Sequence, residues 1–242
     1  MKRTFPILAI LTAALLSFGL YEALVVAPTD QLQGDVYRII YYHVPSGWTM
    51  FVFFSVNFVA SIVYLIRRSP KADAIAVASA EVGLVFCTVV LVTGPIWARP
   101  VWGIWWTWDF RLTSTLVLWL IYVSYLMLRR FSSGGQMPVL AATLAVFGAL
   151  DMPLVYFSIW FFRTQHPQPV VGGGGSIDPS MFRVWLINWA AFLAFGLLVF
   201  WSRYRLEILQ REVEAVRAME SLRDSGMSPG GTSQHLTSGA SR

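Results

Sequence analysis

Apolar positions along the chain gather into six blocks, at 5–27, 46–66, 72–97, 112–130, 138–162 and 182–202. Several run 18 or more positions with at most one charge. A bilayer core about 30 Å thick takes about 20 helical residues, and blocks of this length without strand-like alternation read as spans. The pattern predicts an all-α, polytopic membrane protein with six transmembrane helices. Lys2 and Arg3 precede the first block as they would a signal peptide. That block is too long for a signal core and has no small-x-small cleavage site, so it is kept as a helix.

Composition agrees. The 242 residues are 56% hydrophobic and only 13% charged, where soluble domains carry about 25% charged residues. The net charge of +5 comes from basic residues flanking apolar blocks, and it forms no patch of the kind nucleic acid requires. Thirteen of the 18 lysines and arginines fall on one side of the predicted topology. They are Lys2, Arg3, Arg67, Arg68, Lys71, Arg129 and Arg130, with six more after the sixth block. The other side carries five: Arg38, Arg99, Arg111, Arg163 and Arg183. The positive-inside rule places both termini in the cytoplasm.

Three units follow: a membrane domain over 1–202, a charged cytoplasmic helix over 203–224, and a disordered tail over 225–242. The charged helix has Leu206, Leu209, Val213 and Val216 on one stripe, and Glu207 spaced to pair with Arg211. The tail is rich in Gly, Ser and Thr. The glycine run 172–175 marks a mobile outer loop.

The outer segments hold the unusual residues. Five of eleven tryptophans, Trp97, Trp102, Trp105, Trp106 and Trp108, fall within twelve positions. Pro100 suits the first turn of a helix. A short helix from it would present Trp102, Trp106 and Asp109 on one face, with Trp105 beside them and Gly103 leaving room for something flat. Two readings stand. Tryptophan belongs at membrane interfaces as an aromatic belt. A belt spreads over many helix ends, however, whereas a concentrated platform with one acid and flanking arginines suits a flat, amphipathic, anionic ligand such as haem.

Of three histidines, His235 lies in the tail, while His43 and His166 both fall in outer segments near the tryptophans. Val36, Ile39 and Ile40 suggest an interfacial helix leading to His43, just before the second span. A lone outer histidine is ordinarily solvated. A pair beside the platform admits axial ligation of haem from opposite faces. Zinc would take three or four ligands, and no hydrolase triad or phosphate-binding loop accompanies these residues. The single Cys87 excludes a disulfide framework and covalent haem attachment to this chain. Three acids lie in or beside spans: Glu22 near an outer end, where it would reach water, Glu81 facing the bundle, and Asp151 before a proline kink at Pro153. Structural roles are the simpler reading for all three.

The motif Trp102-Gly103-x-Trp105-Trp106-x-Trp108-Asp109-x-Arg111 resembles the tryptophan-rich signature of haem-handling membrane proteins. Within that group the chain is similar to the CcmC family of cytochrome c maturation, also in Arg38-Ile39-Ile40-Tyr41-Tyr42-His43-Val44-Pro45 and in the approach from Pro153 through Trp160 to His166. Gln165 and Pro167 depart from the family pattern, and the tail is longer. The resemblance implies non-covalent haem b on the periplasmic side of the bacterial inner membrane, with His43 and His166 as axial ligands. It implies that Trp102, Trp105, Trp106, Trp108 and Asp109 hold the macrocycle edge and dock the haem chaperone CcmE. A CcmA–CcmB transporter pair and CcmD would complete the assembly. Arg38, Arg99 and Arg111 are candidates for the haem propionates, because guanidinium forks match carboxylates. The function implied is haem delivery rather than catalysis. The alternatives are a permease passing haem along Glu81 and Asp151, or a synthase attaching haem to apocytochrome. Synthase relatives usually carry histidines inside the membrane, and the six predicted spans contain none.

Overall fold

The computed structural model describes residues 4–131, 135–162, 164–168 and 176–224. Arg163, the glycine run 172–175, His235 and the tail 225–242 lie outside the described residues. The described residues are helical without an extended strand, and six helices are long and apolar enough to cross a membrane.

Helix α1 (Thr4–Tyr21) ends in a π-helical turn, Glu22–Val26. A 3-10 turn, Asp35–Ile39, leads into α2 (Ile40–Arg67), which stops at Arg68 in the left-handed conformation. Helix α3 (Pro70–Trp102) starts with a full set of N-terminal signals: Ser69 caps it, Pro70 opens it and Asp73 lies in its first turn. It ends at Gly103, whose φ of 79° is the left-handed turn that glycine makes without strain. Then come α4 (Phe110–Phe131), α5 (Met137–Ala149), α6 (Asp151–Phe161) and α7 (Pro179–Asp224). The fifth span is thus two helices broken at Leu150, with Pro153 in the first turn of α6, where its missing N–H leaves no gap.

The core is built on close approach. An added Cβ at Gly83 of α3 would lie 2.5 Å from the Phe54 ring of α2, and one at Gly196 of α7 would lie 2.5 Å from Phe53. At Gly148 of α5 it would meet Ile121 at 2.6 Å. Small residues at these contacts let helices pack in lipid, where no hydrophobic effect drives them together. Phe54 stacks on Tyr122 of α4, ring centres 3.6 Å apart. The Tyr122 hydroxyl donates to buried Asn57, which donates in turn to Ala76 O.

Three acids of the bundle have arginine partners. Asp73 takes both guanidinium nitrogens of Arg129, at 2.7 and 2.8 Å, and Glu81 pairs with Arg203 of α7. Glu22, expected in water, is only 8% exposed and accepts from Arg183 at 3.3 Å. The π-turn carries it inward toward α7, where an unpaired carboxylate would be costly.

Two other expectations change. His43 lies inside α2, in its first turn, because the 3-10 turn runs directly into the helix, which continues through Pro45. One histidine therefore does sit within a span-length helix. No short helix follows Pro100: α3 continues through that proline to Trp102, and 103–109 is irregular. The Gly103 stop signal overrides the helix start read at Pro100.

The chain divides into two compact units, Met1–Tyr204 and Arg205–Arg242. In the second, the described residues continue α7 as helix to Asp224, and Arg211 donates to Glu207 at 2.7 Å as their spacing predicts.

Gly83→Ala should cost about 1–3 kcal/mol, the usual penalty of overpacking, read as a lower midpoint in thermal unfolding of the detergent-solubilised protein. Ser79→Ala, one turn away on α3, should shift it less.

Candidate functional site

A cavity of about 1190 Å³ opens among α2, α3, α4, α6 and α7 in the first unit. Pockets for drug-sized molecules run about 300–1,000 Å³, so this one accepts a larger ligand. Its wall is mainly apolar and aromatic, and it brings His43, His166, Trp102, Trp106 and Arg111 together.

The two imidazoles meet with ring centres 6.4 Å apart and planes inclined at 33°. Each has one nitrogen committed. The Thr93 hydroxyl donates its single hydrogen to Val89 O at 2.7 Å, so toward His43 Nδ1 at 2.8 Å it accepts. That arrangement pairs with the Nδ1–H form of His43. His166 Nδ1 lies 3.0 Å from Pro167 O, which only accepts, and pairs with it as Nδ1–H. A ring protonated on Nδ1 keeps its lone pair on Nε2, the form that ligates metals. Burial, reinforced by the positive charge of Arg111, pushes His166 down to about 3 and keeps it neutral at neutral pH.

Asp109 makes the second junction. One carboxylate oxygen caps α4, accepting from Leu112 N at 2.9 Å. The other accepts from Thr164 Oγ1 at 2.9 Å and from Gln165 N at 3.3 Å. Asp109 thereby anchors the loop that carries His166. Thr164 Oγ1 also accepts from His166 N at 3.2 Å.

The tryptophans separate into two groups. Trp102 and Trp106 line the cavity, as does Trp97, which donates to Gln33 at 2.8 Å and meets Trp102 edge-on. Trp105 and Trp108 are 59% and 75% exposed and stand outside it. Gly103 has open space where its Cβ would be, and the turn geometry accounts for it. The three arginines separate likewise. Arg38 donates to the carbonyls of Ala23 and Ala27, to Asp35 and to Thr29, which fastens the π-turn to the following segment. Arg99 turns back on Gly103 O. Arg111 lines the cavity, and its buried Nη1 has no hydrogen-bond partner among the described residues.

Composition did not reveal Trp185 and Trp189 of α7. They line the same cavity around Trp48 of α2, with ring centres 4.6 and 5.1 Å from it. Their i,i+4 spacing at the start of the sixth span was the available signal. Their indole N–H groups, with that of Trp106, are buried without partners among the described residues. Neither Glu81 nor Asp151 lines this cavity. Asp151 lines a separate one of about 210 Å³, with Thr113 and Ser114.

A family model described as "Heme exporter protein C" matches residues 1–219. The chain belongs to the haem exporter protein C family. The haem exporter protein C of Bradyrhizobium diazoefficiens is 37% identical over 224 residues, covering 91% of this chain and 85% of that protein. That of Escherichia coli strain K12 is 38% identical over 178 residues, covering 73% and 72%. A putative cytochrome c biosynthesis ccmC-like mitochondrial protein of Arabidopsis thaliana is 35% identical over 196 residues, covering 81% and 75%. A haem exporter is a transport protein rather than a catalyst, and the six spans make this one a multi-pass membrane protein.

Asp109→Asn leaves one acceptor oxygen where two are in use. It should raise hydrogen exchange of the 164–168 backbone several-fold in the haem-free protein, measured by mass spectrometry, with α2 and α3 unchanged. Equal protection in the variant would rule out the anchoring role.

Proposed function

We propose that this protein binds haem b non-covalently at the large cavity and delivers it for cytochrome c maturation, with His43 and His166 as the axial ligands. The observation that carries the reading is the convergence of two imidazoles at 6.4 Å between ring centres, each engaged through Nδ1. Nitrogens about 2 Å from a shared first-row metal ion put their ring centres about 6 Å apart. The donor set suits the group: imidazoles for iron, aromatic walls for the macrocycle, and unpartnered N–H donors for its carboxylates.

Each residue then has a defined task. His43 and His166 offer Nε2 to the iron. Arg111 and the Trp106 indole satisfy their buried donors on a propionate, relieving a penalty of about 1–3 kcal/mol for each unmet donor. Trp102 and Trp106 cover the macrocycle. Trp105 and Trp108 stay exposed beside the opening and form the landing surface for the acceptor, the haem chaperone CcmE. Haem supplies the iron whose ligand exchange completes the transfer. Basic residues concentrate on the opposite side of the topology from this site, which supports a site on the periplasmic face of the inner membrane with both termini cytoplasmic. CcmA–CcmB and CcmD are the remaining partners of the assembly, in a lipid bilayer.

The purified, haem-loaded protein should give low-spin haem b spectra, oxidised and reduced, that are lost in the His43→Ala/His166→Ala double variant. Unchanged spectra in both single variants would sink the ligand assignment. In haem titrations Arg111→Gln should weaken binding by about ten-fold or more, the scale of a charged hydrogen bond of 1.5–3 kcal/mol, while Arg99→Gln stays within about two-fold of wild type.

A further inference from the structure

We propose that Thr93 is the positioning residue for His43: its hydroxyl fixes the proton on Nδ1 and leaves Nε2 open toward the cavity before haem arrives. This rests on the reading of His43 as an iron ligand.

The two residues come from neighbouring helices, Thr93 from α3 and His43 from the first turn of α2. Thr93 Oγ1 is held on its own helix by donation to Val89 O at 2.7 Å, the i−4 bond open to a helical threonine. Its β-branched side chain has few rotamers to choose from, so the oxygen presents a fixed pair of acceptor sites. His43 Nδ1 sits 2.8 Å away. The alternative tautomer would set a nitrogen lone pair against an oxygen whose only hydrogen is in use. It would be reached only by breaking the bond to Val89.

Next in the chain, Gly94 lies against the ring, and a Cβ there would be in ordinary van der Waals contact with His43 Cε1 at 3.4 Å. The imidazole is thus set between a hydroxyl and a glycine on adjacent positions of α3. His166 is secured differently, by the carbonyl of Pro167 in its own loop. The contact to His43 is tertiary, and a single substitution on another helix can remove it without touching the ligand. Outer partners of this kind orient the ring and raise its basicity, and their loss typically weakens metal binding 10–100-fold.

Nitrogen-15 NMR of histidine-labelled, haem-free protein reads the tautomer directly. The Nδ1–H form of His43 is expected in the wild type and in Thr93→Ser, and a mixture with Nε2–H in Thr93→Val. Haem titration should then show a 10–100-fold weaker affinity for Thr93→Val, and a more positive haem midpoint potential as the imidazole becomes a poorer donor. Thr93→Ser should keep both wild-type values. Thr93→Ala supplies the same readouts where the valine variant fails to insert. An Nε2–H ring in the haem-free wild type overturns the proposal, as does a valine variant with wild-type affinity and potential. If His43→Ala keeps the full low-spin spectrum, the ligand reading falls and the functional role of Thr93 with it. The haem-free NMR separates that failure from a failure of the hydrogen bond itself.

Discussion

The site depends on one carboxylate with two obligations. Asp109 terminates the irregular tryptophan segment by capping α4, and with its other oxygen it holds Thr164 and Gln165 of the loop after α6. Through that junction the His166 imidazole is brought over a cavity whose opposite wall presents His43 from α2. The cap is obligatory on its own account, because the first N–H groups of a helix need acceptors. A local requirement of α4 is thereby turned into a long-range constraint on the site.

The bundle treats polar groups in two ways. The acids Asp73, Glu81 and Glu22 are each met by an arginine from another helix, and Asn57 is satisfied from α3 and α4. Lipid offers no substitute for these partners. Around the large cavity Arg111, Trp106, Trp185 and Trp189 keep buried donors without acceptors among the described residues. A cargo that brings carboxylates into an apolar space answers both features together, and haem has that chemistry.

Some of the site was legible from residue types alone. The tryptophan concentration, the two outer histidines and Arg111 are all visible as departures from an ordinary membrane protein. Their division of labour was not. Nothing in the local sequence separates Arg111 from Arg38 and Arg99, which are engaged by backbone carbonyls. Nor does the motif's spacing reveal that Trp105 and Trp108 face outward while Trp185 and Trp189, from a distant helix, complete the wall. The helix expected after Pro100 failed for a local reason: proline also fits inside a helix that is already running, and Gly103 was the stronger signal.

Six spans, the all-helical class and the family membership follow from the sequence by itself, because span length and apolarity are set by the thickness of the bilayer and need no tertiary knowledge. Caps at Ser69 and Gly103 are likewise local chemistry. Only the tertiary structure decided which polar groups meet. His43 and His166 are separated by four helices' worth of chain, and their approach results from packing around glycines such as Gly83 and from the Asp109 junction. The same holds for Thr93 and His43, whose contact exists because α2 and α3 lie side by side. Periodicity assigns a residue to a helix face; it does not say which neighbour that face will find.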